Sequence, residues 1–464
     1  MSSKNLCYLL LSIAASFLMM VPSAVAAQTT KPGLVRVALV EQADSLSFTV
    51  IGNYQLVDQS TGKLIVKLKP GEKWLVTLQN GRIALTGQGS KNGIYKGPVS
   101  VQAQTFEASI LSGNGDLVDN NYAGELSVIN SDGRVLPLEQ AQAGITFKGS
   151  KGIVNLSGDG SLNLLSLTSN AGTTRYRGDL EFRVDSGKLT AINELSIEDY
   201  LCGVVPAEAI PSWPAEALKA QAVAARNYAM QKVETSRGDR ANLGSNQYDQ
   251  VYGGYDAETE ATNKAVKDTS GIVMMSQGSL VTAFFHCSSG GFTENSEDVW
   301  LNPLPYIKSK TDPYDKNDKY YNWQVTYSNE QLAALMTQAG FPIKEVTDIE
   351  IEERTSSDAR VKNLTVIGVG ATGKPEKIEL CNADKVRITL GLKSSLFVLD
   401  KNYNKDKSLA GVKITGRGYG HGLGMSQYGA YGMASQGYNY QDILKYYYSG
   451  VTLTNQYGRS SSLR

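Results

Sequence analysis

Residues Gly203 to Ala229 read GVVPAEAIPSWPAEALKAQAVAARNYA, a stretch in which one carboxylate, Glu208, lies among valine, alanine and proline. After Ser212, which suits a helix N-cap, and Pro214, which fits a first turn, the alanine-rich run predicts a helix to about Val233. A carboxyl group in apolar surroundings has its neutral form favoured, which raises its pKa and suits it to act as a general acid. The alternative is a carboxylate stabilised by the N-terminal end of the helix dipole, and these residues alone leave both interpretations open.

The predicted helix carries two cations on one face. Lys219 and Arg226 are seven residues apart and so share a stripe, which aliphatic residues otherwise line. With the nearby carboxylate, this arrangement favours two cations that line a cleft beside Glu208. The alternative is a solvated face on which both side chains snorkel. A second stripe suits close packing and consists of Leu218, Ala222, Ala225 and Ala229.

The composition argues against nucleic acid as a partner. Lysine and arginine total 45, and aspartate and glutamate also total 45, so the chain carries no strong net field. Its 464 residues are enough for two or three domains. The 25 tyrosines, against 10 phenylalanines, suit sugar binding and strand packing alike. A neutral or mixed polymer is therefore the partner that the composition favours.

The N-terminal segment has the pattern of an export signal. Lys4 precedes an apolar core from Leu9 to Val21, and Ala24-Val25-Ala26 is an A-x-A cleavage pattern. We therefore expect a signal peptide over residues 1–27, with cleavage after Ala26, and an exported protein. The alternative is an uncleaved anchor, which is then the only membrane contact that the sequence predicts.

The cysteines and histidines predict neither a metal site nor a cofactor. Removal of the signal leaves Cys202, Cys287 and Cys381, an odd number that allows at most one intramolecular disulfide. Neither a C-x-x-C nor an H-x-x-x-H spacing occurs. His286 next to Cys287 cannot easily place both side chains on one metal.

The chain divides into a β-rich half and an α+β half. Residues 28–175 are predicted to form an all-β module, because short β-rich runs alternate with glycine turns from about Val35 to Thr190. The turn sequences are Thr61-Gly62-Lys63, Asn80-Gly81-Arg82, Asp132-Gly133-Arg134 and Ser186-Gly187-Lys188. Residues 176–455 are predicted to be α+β, and residues 456–464 a polar tail. Helices are expected after a capping box at Ser328 and Gln331, and near Met425–Gln436 and Tyr440–Tyr448.

Three further stretches carry glycine-rich or nucleophile-like patterns. Residues 282–300 read TAFFHCSSGGFTENSEDVW, in which serines lie close to a histidine. The stretch has no G-x-S-x-G elbow and no acid at a recognisable spacing to orient the histidine. This pattern favours a polar loop over a serine hydrolase. Residues 416–437 read GRGYGHGLGMSQYGAYGMASQG, where alternate glycines allow a backbone or a ligand to approach closely. GVGATG at 368–373 matches a dinucleotide-binding spacing, but a strand-like run follows it, so we predict a turn.

Four blocks of the second half resemble the stage II sporulation protein D / amidase enhancer LytB family (SpoIID/LytB). They are Leu195–Met230, Asp249–Gly254 (DQVYGG), His286–Trp300 and Gly416–Ala430, in the family's order, within a region from near Tyr176 to near Gly450. The sequence departs from the family pattern at Ala209–Ile210, where many relatives have a methionine beside the glutamate. Its β-rich N-terminal region is also larger than in a minimal member.

The resemblance implies a mixed α+β catalytic domain with a groove, and lytic transglycosylase activity on peptidoglycan glycan strands that have been stripped of stem peptides. Glu208 matches the catalytic glutamate, and Lys219 and Arg226 match basic positions of the family. In such a mechanism one carboxyl protonates the glycosidic oxygen and then deprotonates the muramyl C6 hydroxyl, so a 1,6-anhydro sugar forms and water is not consumed. The other expected substrate contacts are His286, Ser288, Ser289, Arg417, Tyr419, His421 and Gln427.

Two alternatives to a lytic enzyme stay open at this point. The family name also points to a non-catalytic enhancer that binds peptidoglycan and stimulates a cell-wall amidase. An exported adhesin or spacer is the third interpretation, and it predicts that residues 28–175 alone bind wall material. All three place the protein at the cell wall or the outer face of the membrane, or between two membranes if the organism sporulates.

Overall fold

The computed structural model describes residues 33–87, 93–103, 163–236, 240–300 and 302–455, with the backbone of six short strands between residues 110 and 156. The predicted signal segment, the predicted polar tail and the turn Asp132–Arg134 lie outside these residues. The described part combines helices with several sheets, which confirms the α+β class. Within it, every helix is too short or too polar to cross a membrane.

The first half is built from antiparallel strands. They are β1 (Leu34–Ala43), β2 (Ser45–Ile51), β3 (Tyr54–Asp58), β4 (Lys63–Lys67), β5 (Trp74–Gln79), β6 (Arg82–Gly87), β7 (Gly93–Tyr95), β8 (Val99–Ala103), β9 (Ile110–Leu111), β10 (Leu117–Val118), β11 (Ser127–Ile129), β12 (Val135–Pro137), β13 (Ile145–Gly149), β14 (Gly152–Leu156), β15 (Leu164–Ser169), β16 (Gly172–Tyr176), β17 (Asp179–Asp185) and β18 (Lys188–Ser196). With β19 (Leu243–Gly244), they form a seven-stranded sheet in the order β19-β1-β18-β17-β8-β3-β4 and a six-stranded sheet in the order β16-β15-β2-β5-β6-β7. The strands β9 to β14 pair as three separate hairpins.

The predicted glycine turns join neighbouring strands of these sheets. Gly62 lies between β3 and β4, Gly81 between β5 and β6, and Gly187 between β17 and β18. Asn80 and Gly81 have φ angles of 52° and 69°. Two consecutive positive φ angles define the tight turn that suits the right-handed twist of the flanking strands, and asparagine followed by glycine favours it.

The packing of the seven-stranded and six-stranded sheets continues across the predicted boundary between residues 175 and 176. Phe182 of β17 and Leu189 of β18 are buried in one core with Phe48 and Trp74. Strand β1 pairs along β18 from Leu34 opposite Ser196 to Ala43 opposite Leu189. The central strands of the seven-stranded sheet therefore come from both sides of that boundary.

The second half adds eight helices, within the described residues, and eleven further strands. The helices are α1 (Ile197–Glu208), α2 (Ala215–Thr235), α3 (Glu260–Asp268), α4 (Ser296–Val299), α5 (Asn329–Gln338), α6 (Ala383–Thr389), α7 (Gln427–Ser435) and α8 (Tyr440–Tyr447), with a 3₁₀ turn at Tyr255–Ala257. The strands are β20 (Val273–Ser276), β21 (Ser279–Leu280), β22 (Phe285–His286), β23 (Asn322–Ser328), β24 (Ile343–Arg354), β25 (Val361–Gly370), β26 (Pro375–Cys381), β27 (Phe397–Tyr403), β28 (Leu409–Arg417), β29 (Met425–Ser426) and β30 (Thr452–Thr454).

Helix α2 lies between two cores, which is why its sequence is rich in alanine on every side. Ala222, Ala225 and Ala229 pack in a core with α1 and with Val35 and Val37 of β1. Ala220, Val223 and Ala224 pack in a second core with α7, α8 and β20. The helix begins at Ala215 after Pro214, which has no side-chain capping bond, so the prediction of Ser212 as the N-cap was wrong.

The capping box and the GVGATG turn predicted for this half are confirmed. Ser328 and Gln331 form the expected capping box at the start of α5. GVGATG forms the turn of the antiparallel hairpin between β25 and β26, closed by a hydrogen bond from Gly370 N to Lys374 O (2.8 Å). This hairpin, β24 and α6 share a third core with β23, β27 and β28.

The shared sheet makes a prediction about fragments. Residues 28–175, produced alone, are expected to lack cooperative thermal unfolding, because this fragment loses β17 and β18 from its hydrophobic core. Circular dichroism melting measures this, with residues 28–464 as the control. A sharp transition in this fragment alone would contradict the shared core.

Candidate active site

Glu208 is the last residue of α1, a helix that the sequence analysis did not predict. Ser196 caps the helix by accepting a hydrogen bond from Asp199 N, and Pro206 lies within the last turn. The interpretation of a carboxylate at a helix N-terminus is also wrong. Glu208 is instead at the negative end of the helix dipole, which disfavours its ionised form.

The Glu208 carboxyl is desolvated and has few partners. Burial raises its pKa, while hydrogen bonds from the Val251 N–H and the Gln427 amide act in the opposite direction. Val251 N lies 2.8 Å from Oε1 of Glu208, and Nε2 of Gln427 donates to the Glu208 carbonyl at 2.9 Å. Within the described residues Glu208 forms no ion pair, so no cation offsets the cost of its ionisation.

The loop that carries Val251 is held by two polar side chains. Asp249 accepts hydrogen bonds from Gly244 N (2.8 Å) and Tyr228 Oη (3.0 Å), and it pairs with Lys232 (2.7 Å). Burial acts to raise the pKa of Asp249, but these partners outweigh it and hold that pKa below its usual value. Gln250 accepts from Tyr200 Oη (3.2 Å). The sequence motif DQVYGG contains these residues, but the sequence analysis assigned them no role.

Gln427 reaches Glu208 because of a short parallel strand pair. Strand β29 pairs with β22, and Ser426 then caps α7 by accepting from Gly429 N (3.0 Å). Gln427 is the first residue of α7, and its amide also lies 3.5 Å from Oε1 of Gln221 on α2. Of the predicted contact residues, Gln427 is the one for which the described structure gives a hydrogen bond to Glu208.

Three aromatic rings lie next to this arrangement and were missed in the sequence analysis. The Trp213 ring is centred 5.1 Å from the Tyr428 ring and 5.4 Å from the Tyr431 ring. Tyr428 directly follows Gln427, and Trp213 follows Glu208 after a turn closed by Trp213 N donating to Ile210 O (2.9 Å). All three rings are half-buried. They give the neighbourhood of Glu208 an amphipathic surface.

Lys219 and Arg226 do share one face of α2, but that face packs against α3. Arg226 is fully buried and forms two hydrogen bonds with Glu198 (2.7 and 2.9 Å), and it also donates to Ile272 O (3.2 Å). Lys219 pairs with Glu216 (2.9 Å) and Asp268 (3.5 Å). The expected cleft of two cations beside Glu208 is therefore corrected: Arg226 connects α1, α2 and the start of β20.

The two histidines form a buried pair. His286 and His421 have ring centres 5.4 Å apart, and both contact the backbone of Leu423. Burial lowers the pKa of His286 well below its usual value and that of His421 to about 4. Both rings are consequently neutral near pH 7. His286 is nearly inaccessible, which does not suit direct contact with a polymer.

Ser288 and Ser289 are buried within the loop and have no hydrogen bond to either histidine in the described structure, which leaves the serine-hydrolase interpretation unsupported. The hydroxyl of Ser289 lies 2.9 Å from Asp312 and 2.8 Å from Asp315. Burial raises the pKa of Asp312 to about 6, and the neighbouring charge of Asp315 adds to it. Ser288 exchanges two backbone hydrogen bonds with Tyr419 (2.8 and 3.0 Å).

Alternate glycines allow this loop to meet the glycine-rich strand. A Cβ atom at Gly418 would lie 2.7 Å from Gly290 N, and one at Gly422 would lie 2.6 Å from the buried Arg360 guanidinium. Both glycines also have positive φ angles, 78° and 85°. The repeated glycine therefore serves close backbone packing. The residues between the glycines are more accessible: Tyr419 is 41% exposed and Arg417 is half-buried.

Among the described residues, no group of three or more histidine, cysteine, aspartate or glutamate side chains is arranged to hold a metal ion. The three cysteines outside the predicted signal are free thiols.

Comparisons with known proteins place this chain in a family. Residues 185–275 match the family model of the stage II sporulation protein, and residues 294–424 match a domain of unknown function (DUF8618). The chain is 32% identical over 299 residues to the amidase enhancer of Bacillus subtilis, a match that covers 55% of this chain and only 40% of that relative. It is 30% identical over 279 residues to stage II sporulation protein D of B. subtilis, covering 57% of this chain and 76% of the relative. An uncharacterized protein of Brachyspira hyodysenteriae is 34% identical over 285 residues, covering 60% and 72%.

The match to the stage II sporulation protein model includes Glu208 and Val251. The chain belongs to the stage II sporulation protein D / amidase enhancer family.

Because Arg226 is buried, its substitution is expected to lower the stability of the fold. Arg226→Met is expected to lower the free energy of unfolding by about 3–5 kcal/mol, because Glu198 and two buried carbonyls lose their partner. Lys219→Met, which removes partly exposed ion pairs, is the matched control and is expected to cost about 1 kcal/mol or less. Urea denaturation measures both. An Arg226→Met variant of unchanged stability but weakened glycan binding would instead assign Arg226 to substrate.

Proposed function

We propose that this protein is an exported lytic transglycosylase that cleaves peptide-stripped glycan strands of peptidoglycan, with Glu208 as its single acid and base. The observation that carries the proposal is the Glu208 carboxyl itself: burial raises its pKa, and it has no ion-pair partner in the described structure. The names of the relatives, a sporulation protein and an amidase enhancer, support a role in remodelling the cell wall. The N-terminal sequence pattern supports action outside the cytoplasm.

In the proposed mechanism the two oxygens of Glu208 have different tasks. Oε1 accepts the Val251 N–H, so the proton of the neutral acid is expected on Oε2. Oε2 donates that proton to the glycosidic oxygen as the bond from C1 of the muramyl residue breaks. The resulting carboxylate then takes the proton of the C6 hydroxyl while the C6 oxygen bonds to C1. One proton leaves and one returns, and no water enters the product.

The neighbouring side chains support this chemistry without a second catalytic carboxylate. Val251 holds the carboxyl through Oε1 and Gln427 holds the backbone carbonyl of Glu208, which together give the pre-organisation that proton transfer requires. The rings of Trp213, Tyr428 and Tyr431 offer apolar faces on which a sugar can stack. Most hydrolases of glycosidic bonds need two carboxyl groups, and a single one fits an internal nucleophile.

The second candidate function is a non-catalytic enhancer of a cell-wall amidase. The name of the B. subtilis amidase enhancer favours it, although this chain covers 40% of that protein. Both functions need a glycan-binding surface, whereas only the enzyme needs a protonated Glu208. Action during sporulation, with an amidase that supplies the stripped strands, is the setting that we propose for the enzyme.

The decisive experiment compares the parent with Glu208→Gln on purified, peptide-free glycan strands. The parent is expected to generate 1,6-anhydro-muramyl ends, detected by mass spectrometry, and the variant to lose at least about 10³-fold in rate, since the amide has no acidic proton to donate and cannot act as the base. Glu260→Gln, the same change at an exposed position at the start of α3, is the control and is expected to cut normally.

Two other results of that experiment would change the proposed function. Reducing ends would establish hydrolysis and contradict the single-carboxylate mechanism. Binding without cleavage by the parent, together with stimulation of an amidase, would favour the enhancer.

The raised pKa of Glu208 predicts the pH dependence. Because the acid must be protonated in the free enzyme, kcat/KM is expected to fall as pH rises through a pKa above the usual value for glutamate. Gln427→Leu removes a hydrogen bond that lowers this pKa, so the alkaline limb is expected to move to higher pH. A pH–rate profile in which the limb moves down, or does not move, would contradict this role for Gln427.

A further inference from the structure

Three cations for which the described structure gives no ion pair lie near two tyrosines, beyond the Ser288–Tyr419 backbone bridge. Lys319 Nζ lies 4.8 Å from the centre of the Tyr320 ring, and Lys393 Nζ lies 5.2 Å from it. The Tyr320 and Tyr419 rings meet edge to face at 5.2 Å. Arg417 is two residues before Tyr419 at the end of β28. We call Lys319, Tyr320, Lys393, Arg417 and Tyr419 the basic tyrosine surface.

The three cations of this surface form no ion pair within the described structure, and both lysines lie beside an aromatic ring. Many lysines and arginines of the described structure pair with a carboxylate within 4 Å, but Lys319, Lys393 and Arg417 do not. Lys319 is exposed, and the other two are half-buried. Asp318 is adjacent to Lys319 and is buried, and its charge acts on Lys319 without forming an ion pair with it. The surface therefore offers positive charge beside aromatic faces, which suits a ligand that carries both carboxylates and sugar rings.

The backbone connects this surface to Glu208 in three short steps. Gln427 contacts Glu208, and the next residue, Tyr428, donates its N–H to Cys287 O (3.0 Å). Ser288 follows Cys287 and exchanges backbone hydrogen bonds with Tyr419. The half-buried Tyr428 ring and the exposed Tyr419 ring thus project from consecutive points of one scaffold. A polymer bound at Glu208 and Trp213 can extend toward the basic tyrosine surface.

We propose that the basic tyrosine surface binds the lactyl carboxylates of peptide-free muramyl residues, and so selects strands from which an amidase has removed the stem peptides. Removal of the peptide at its amide bond leaves one free carboxylate on each muramyl residue, so a stripped strand alternates neutral and anionic sugars. The cations bind the carboxylates, and the tyrosine rings contact the sugars. This proposal rests on the proposed function for the identity of the polymer.

The test measures binding of two glycan probes to the full-length exported chain. One probe is the peptide-free strand with free lactyl carboxylates, and the other is the same strand after conversion of its carboxylates to methylamides. The parent is expected to bind the free-acid strand about tenfold more tightly than the amidated one, and added salt is expected to reduce that difference. Equal affinity for the two probes would overturn the proposal, and this arm needs no variant.

A variant carrying Lys319→Gln, Lys393→Gln and Arg417→Gln assigns the effect to the surface. It is expected to bind the free-acid strand about tenfold more weakly, with little change on the amidated strand. Lys377→Gln, at a lysine on β26 that pairs with Glu379, is the matched control. Retained discrimination between the probes in the folded triple variant would overturn the assignment.

The outcomes separate this proposal from the proposed function. If the parent discriminates between the probes but generates no anhydro ends, the carboxylate site stands and the transglycosylase does not. If the parent cuts both probes with equal KM and kcat, the enzyme stands and the carboxylate site does not.

Discussion

The position of Glu208 depends on the burial of α1 between the seven-stranded sheet and α2. Leu201, Val204 and Val205 of α1 share a core with Val35 and Val37 of β1 and with the alanines of α2. The small side chains of α2 allow the helices to approach closely, and the Glu198–Arg226 pair fixes their register from the polar side. Because α1 ends at Glu208, this packing decides where the carboxyl lies and how much water reaches it.

The sequence allowed the chemical state of Glu208 to be predicted more readily than its geometry. Its alanine, valine and proline neighbours indicate desolvation whatever the backbone does. The helical conformation up to Glu208 was not predicted, because Pro206 usually ends or interrupts a helix; here the helix ends two residues later. Predicted turns and the capping box were correct because their chemistry is local, as at Asn80-Gly81 and at Ser328.

The contacts that complete the candidate site join residues far apart in the chain. Gln427 meets Glu208 across 219 residues, and Val251 meets it across 43. Helical spacing correctly put Lys219 and Arg226 on one face, but spacing cannot say that Glu198 lies opposite that face. The aromatic residues near Glu208 were missed for the same reason. Trp213 lies near the start of the α+β half of the chain, and Tyr428 and Tyr431 lie near its end.

The long sequence separation of these contacts has a consequence for secretion. A chain that crosses a membrane unfolded carries Glu208 in water, at the ordinary acidity of a glutamate, without Val251 or Gln427 beside it. The surroundings of the carboxyl are assembled only after α7, which lies near the end of the described chain, has docked against α1 and α2. Under the proposed function, the protein therefore stays inactive until this part of the chain has folded.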